Sequence, residues 1–156
     1  TQGKLATTAA EALKFADALC QTEAQQAGWS GTYKAWLSTS LTSAASHLQG
    51  EQIYKDATLN LSNGDLVALD WMDLTDGQLD HAITRTPGGV AMEVEVWTNT
   101  LPNGALSEAS CKDWTDASLG FNGYVGGSVH LAFDWTHMDI RVCKEFKQLY
   151  CFQTNY

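Results

Sequence analysis

Apolar residues near the start of the chain recur at helical intervals. Ala9, Leu13, Ala16, Cys20 and Ala27 follow three-, four- and seven-residue steps through Leu5 to Ala27, an Ala-rich stretch without Gly or Pro. This predicts a helix over at least Phe15 to Ala27, stopped by Gly28. After Gly31, Tyr33 to Leu37 predicts a short buried strand. Ser40 or Thr42 can then cap a short helix through Ala44, Ala45 and Leu48 that ends near Gly50. Asn63-Gly64, with Leu59 and Leu61 before it and Leu66, Val67 and Leu69 after it, predicts a hairpin. Val90, Met92, Val94 and Val96 alternate with Ala91, Glu93, Glu95 and Trp97 behind a Pro87-Gly88-Gly89 turn, the clearest strand pattern in the chain. Periodicity weakens after the next turn, at Pro102-Asn103-Gly104. Cys111 to Trp114 opens a loop region, Gly120 to Ser128 reads as a long surface loop pinned by Phe121 and Tyr124, and Leu149 to Phe152 reads as a closing strand. The fold class expected is α+β, with early helices packed on a later, irregular antiparallel sheet.

Composition adds bounds to this picture. The 156 residues are 44% hydrophobic and 17% charged, which suits one globular domain large enough to bury a core. The net charge of −9 disfavours nonspecific binding to nucleic acid, heparin-like polymers and anionic membranes. No apolar run approaches the roughly 20 residues of a membrane-spanning helix. The chain does not begin with Met, and reads as a mature form or a fragment of something longer.

Cys20 stands alone near one end, and Cys111, Cys143 and Cys151 lie in the last third. An even count without a C-x-x-C pair reads as two disulfides of an exported module, and four cysteines allow three connectivities. In the nested one, Cys20–Cys151 ties the first helix to the last strand, with Cys111–Cys143 inside that ring. The chain-entropy model values the larger loop at roughly 5 kcal/mol and the smaller at roughly 3 to 4 kcal/mol.

Several blocks together resemble a known family. Ala16 to Cys20, followed by the run Ala27-Gly28-Trp29-Ser30-Gly31-Thr32-Tyr33-Lys34-Ala35-Trp36-Leu37-Ser38, looks like the opening of endostatin-like domains. It is closer still to uncharacterised bacterial secreted and lipoprotein domains that share this run. Leu69 to Leu79, Val96 to Thr100 with Gly104, Cys111 with Trp114-Thr115, and Leu149 to Phe152 resemble later blocks of the same family, in the same order. The resemblance implies an endostatin-like variant of the C-type-lectin-like fold, and with it the pairings Cys20–Cys151 and Cys111–Cys143. Departures limit what carries over. Thr1 to Phe15 contains no His, so the zinc site of endostatin is not implied. Leu101-Pro102-Asn103 lacks the carboxylate or amide that precedes Pro in calcium-dependent lectins, and Trp135-Thr136-His137 replaces their Trp-Asn-Asp. The arginines are Arg85 and Arg141 alone, too few for a heparin-binding face.

Candidate chemistry then divides into four groups. Trp97, Asn99, Asn103, Trp114 and Tyr124 compose a candidate glycan site, with rings to stack on sugar C–H faces and amides to take hydroxyls. The competing reading puts Trp36, Trp71, Trp97 and Trp135 in the core. Asp70, Asp73, Asp76 and Asp80 offer hard oxygen ligands for Ca²⁺ but lack EF-hand spacing, so solvated carboxylates are the plainer reading. His47, His81, His130 and His137 lack zincin spacing and read as scattered surface residues. Arg141, Lys144 and Lys147 form either a small basic patch or, more simply, a solvated rim around Glu145.

These readings converge on a secreted or cell-surface, non-catalytic recognition domain. Its expected partner is a glycan or cell-surface polymer at the tip of a fibrous protein, with no cofactor other than possible Ca²⁺. Residues 1–14 are the expected stalk or homotrimer contact and residues 15–156 the domain. The rivals are an oligomerising cap without a ligand and a divalent-metal-dependent enzyme built on the His and Asp residues.

Overall fold

The first helix, α1 (Ala9–Gln26), is fixed at both ends by its own sequence. The Thr8 hydroxyl accepts the Glu11 N–H at 3.3 Å as N-cap. At the other end Gly28 takes φ 78°, its N–H donates to the Gln25 carbonyl, and the Trp29 N–H donates to the Ala24 carbonyl. This is a Schellman stop, and it needs the glycine. Ala12, Leu13, Ala16, Cys20 and Ala24 form the buried stripe.

The structure, a computed structural model, describes residues 1–49 and 59–155. After α1 come β1 (Thr32–Ala35), α2 (Ala44–Gln49), β2 (Leu59–Asn60), β3 (Leu66–Ala68), α3 (Trp71–Leu74) and β4 (Glu95–Trp97). They are followed by α4 (Cys111–Trp114), β5 (Asn122–Gly127), a 3₁₀ turn at Phe133–Trp135, β6 (Asp139–Val142) and β7 (Cys151–Asn155). Among the described residues the fold is mixed α and β with three small antiparallel sheets: β1 with β7, β2 with β3, and β4-β5-β6. Disulfides Cys20–Cys151 and Cys111–Cys143 are nested, spanning 131 and 32 residues. Among the described residues no helix is long and apolar enough to cross a membrane.

Two apolar clusters fill the interior. One joins the α1 stripe to Leu37, Trp97, Trp114, Val125 and the Cys111–Cys143 bridge; the other gathers Trp36, Trp71, Trp135, Tyr150 and Phe152 around Leu48, Leu74 and Leu79. Buried hydroxyls knit the second cluster to the segment that follows β4. The Trp36 indole N–H donates to Thr136 Oγ1 at 2.7 Å, which donates to the Thr100 carbonyl, and Thr98 Oγ1 donates to the Thr136 carbonyl. The Tyr150 hydroxyl donates to the Trp135 carbonyl, and burial pushes its phenol pKa up.

Four expectations need correction. Gly120 to Ser128 is not a surface loop, because its Gly123, Gly126 and Gly127 lie in β5, the middle strand of the largest sheet. These glycines are there for close approach. A Cβ on Gly126 would sit 2.0 Å from the Trp135 carbonyl oxygen, and one on Gly123 2.8 Å from Cys111 Sγ. Val90 to Trp97 is not one strand. Its first half folds back on Thr84 to Thr86 as a ribbon, the Ser128 hydroxyl bridges Met92 and Val94, and only Glu95–Trp97 joins the sheet. Ser43, not Ser40 or Thr42, caps α2, accepting the Ser46 N–H at 3.1 Å; the expected end at Gly50 lies outside the described residues. Cys111 to Trp114 is a single left-handed turn, with φ between 51° and 61° at all four residues. Within residues 1–14, Leu5, Ala12 and Leu13 are buried in this chain's own core, and the Gly3 N–H donates to the Cys143 carbonyl.

Candidate functional site

The residues expected to hold a glycan separate in space. Trp97 and Trp114 are 0% exposed, and Asn99 is 1% exposed. None of the three can stack on or bond a ligand from outside. The two indoles are spent internally: that of Trp97 donates to the Thr1 carbonyl, and that of Trp114 to the Ser38 carbonyl. Asn99 holds a left-handed φ of 46°, and its Oδ1 is a buried acceptor without a partner among the described residues. Asn103 is exposed at the tip of the 101–106 turn, where its Oδ1 accepts the Ala105 N–H.

Tyr124 is the member of that set that reaches a surface cluster. On β5 its ring stacks on His137 with centroids 4.0 Å apart and planes at 25°, while Phe133 meets the imidazole edge-on at 5.1 Å. The Ser107 hydroxyl lies 2.7 Å from His137 Nε2. Ile140 on β6 pairs across the strands with Tyr124, and Phe133 and Ile140 are 50% and 45% exposed. The backbone holds this arrangement firmly. The Ser107 N–H donates to the Asn99 carbonyl, the Thr98 and Asn99 N–H groups to the Tyr124 carbonyl, and the His137 N–H to the Phe133 carbonyl. Flat apolar rings beside a hydroxyl and an imidazole suit a polyol with apolar C–H faces.

Ser107 and His137 also have the spacing of a nucleophile and its base. Among the described residues no carboxylate hydrogen-bonds the imidazole; its ring is oriented by stacking instead. Sequence reasoning named His137 only as one of four scattered histidines and missed Ser107 and Phe133. The i, i+4 step from Phe133 to His137 was the available signal.

The remaining candidates have structural roles. Asp70 Oδ1 accepts the Asp73 N–H at 3.0 Å and Asp73 Oδ2 the Leu69 N–H at 2.7 Å, a reciprocal cap on α3. Asp76 Oδ1 accepts the Gln78 N–H. Asp80 is exposed. Among the described residues no three His, Cys, Asp or Glu side chains converge as metal ligands. His47 Nε2 meets Asp17 Oδ1, His81 Nδ1 meets the Leu66 carbonyl, and His130 packs near Gly127.

The basic residues are largely neutralised. Within the expected basic patch, Arg141 pairs with Glu95 and Asp139, and Lys147 with Glu95 at 2.5 Å and Glu145 at 2.6 Å, while Lys144 has no ion pair among the described residues. Burial pushes the Glu95 pKa up, but hydrogen bonds from Arg141 and Lys147 outweigh it and hold the carboxyl below its ordinary value. Hydrogen bonding to Glu95 and Asp139 raises the Arg141 pKa further.

No protein-family model matches this chain, and no curated protein is significantly similar to it.

Proposed function

We propose that this chain is a secreted or cell-surface recognition domain that binds a glycan or similar polymer through the face formed by Tyr124, Phe133, His137 and Ser107. The observation that carries the reading is a ring cluster in which Phe133 is half-exposed and Tyr124 and His137 are partly buried, with the buried Ser107 hydroxyl on the imidazole, mounted on a sheet braced by the Cys111–Cys143 bridge. Rigid rings cost little entropy on binding, and the disulfides lower the cost of ordering what carries them. The two bridges fit an oxidising compartment. The mixed architecture and nested pairings are compatible with the endostatin-like, C-type-lectin-like family that the sequence blocks resemble.

The test is a glycan array probed with and without chelator. Binding is expected to survive chelation, and Phe133→Ala or Tyr124→Ala should weaken it by about fivefold, as loss of a ring contact worth roughly 1 kcal/mol predicts. An array without a hit favours the cap. Labelling of Ser107 by a fluorophosphonate, lost in His137→Ala, would replace recognition with hydrolysis.

A further inference from the structure

A second site lies between α1 and the 84–92 ribbon, and it shares no residue with the Tyr124 face. Here the described residues enclose a cleft of about 510 Å³. Phe15 and Leu19 on α1 form one wall, Ile83 and Met92 the other, and Val94 and Leu149 lie between them. Phe15 is 46% exposed, and the other five are only partly buried, so both walls leave apolar surface facing the opening. The size falls within the range of small-molecule sites.

The charges at the cleft are uneven in a useful way. Lys147 is paired with Glu95 and Glu145 and contributes no free charge. Arg85 has no carboxylate partner among the described residues; its guanidinium donates only to the Gly89 carbonyl, at 3.2 Å. The ribbon that carries it is closed on itself by the Met92 N–H on the Thr84 carbonyl and the Thr86 N–H on the Val90 carbonyl. Glu23, also lining the cleft, stands on the α1 side. An anionic head is thus drawn to the ribbon and repelled from the helix, while an aliphatic tail lies along the apolar walls.

We infer that this cleft binds a free single-chain aliphatic carboxylate, with its head on Arg85 and its tail between α1 and the ribbon. Affinity should rise roughly three- to fourfold for each methylene buried.

The experiment titrates the oxidised protein with octanoate, decanoate and dodecanoate below their micellar concentrations. It reads heat and the fluorescence of Trp29, which lines the cleft. One ligand per chain and a Kd that falls by about tenfold from decanoate to dodecanoate are expected. Arg85→Gln should weaken dodecanoate about tenfold and leave dodecanol unchanged, Glu23→Gln should tighten dodecanoate, and Phe15→Ser should weaken both ligands. Near-UV circular dichroism checks that the variants keep the fold. Lack of saturable binding, or binding indifferent to Arg85, overturns the proposal. Binding to phosphatidylglycerol vesicles without any response to free dodecanoate also overturns it, since that source is a membrane.

Discussion

The Asp113 carboxylate grips Ser40 twice, accepting its backbone N–H at 2.6 Å and its hydroxyl at 2.5 Å. Asp113 is the third residue of the left-handed turn at Cys111 to Trp114, and its own N–H is capped by Ser110 Oγ at 3.0 Å. A left-handed conformation costs non-glycine residues roughly 1 to 2 kcal/mol each. The turn therefore persists because its neighbours hold it: the disulfide at Cys111, the Trp114 indole on Ser38, and Asp113 on Ser40. Asp113→Ala should lower stability by about 1 to 2 kcal/mol through lost hydrogen bonds to a charged group. Lys112→Gly, at an exposed residue with φ 55°, should do the opposite and add about 0.5 to 1 kcal/mol. Denaturant melts of the two variants should move in opposite directions; a shared direction sinks the account.

The middle strand of the large sheet should tolerate no side chain at Gly126. A Cβ there would overlap the Trp135 carbonyl, whose position is fixed by the Tyr150 hydroxyl. Gly126→Ala is expected to cost about 3 kcal/mol, the upper part of the overpacking range. Gly88→Ala is the control, because its Cβ would meet nothing closer than 3.9 Å. Equal melting temperatures for the two variants would contradict the close approach.

Peptide mapping under non-reducing conditions should recover the nested pairs Cys20–Cys151 and Cys111–Cys143. Replacing Cys20 and Cys151 together by Ser should cost about 5 kcal/mol, and replacing Cys111 and Cys143 about 3 to 4 kcal/mol, if chain entropy dominates. The reverse ranking would mean that the short bridge acts chiefly by holding the left-handed turn.

Acid should weaken the fold through Glu95. Its folded pKa lies below the ordinary value of 4.5, so the unfolded chain binds the proton first as pH falls. The stabilisation is complete above 4.5 and is lost as pH drops through the lower, folded value. Glu95→Gln should remove that part of the acid limb. At neutral pH it should cost about 1 kcal/mol, because Arg141 keeps only Asp139 and Lys147 only Glu145 as carboxylate partners in a partly buried network. An unchanged acid limb in this variant would show that the network does not couple to folding.

At the other end of the pH scale, Tyr150 works against the folded chain. Burial raises its pKa above the ordinary 10.0, so above that value the unfolded state loses its proton more readily and stability falls with rising pH. Tyr150→Phe should flatten this alkaline loss when unfolding is followed between pH 9 and 11.

Local chemistry was legible in the sequence wherever a few neighbouring residues settle the geometry. The alanine-rich periodicity and Gly28 determined α1 and its stop, Asn63-Gly64 the β2–β3 turn, and the even cysteine count a bridged fold, because each depends on contacts within a few residues or on the thiols' own reactivity. The tertiary structure decided everything that depends on distant partners. Gly-rich 120–128 became a central strand because Trp97, Trp114 and Trp135 press on its backbone from elsewhere in the chain. Trp97 and Trp114 went to the core and Tyr124 to the surface, although the three look alike in sequence. An aromatic side chain gains from burial and from stacking at a surface alike, and only the surrounding fold determines which of the two it finds.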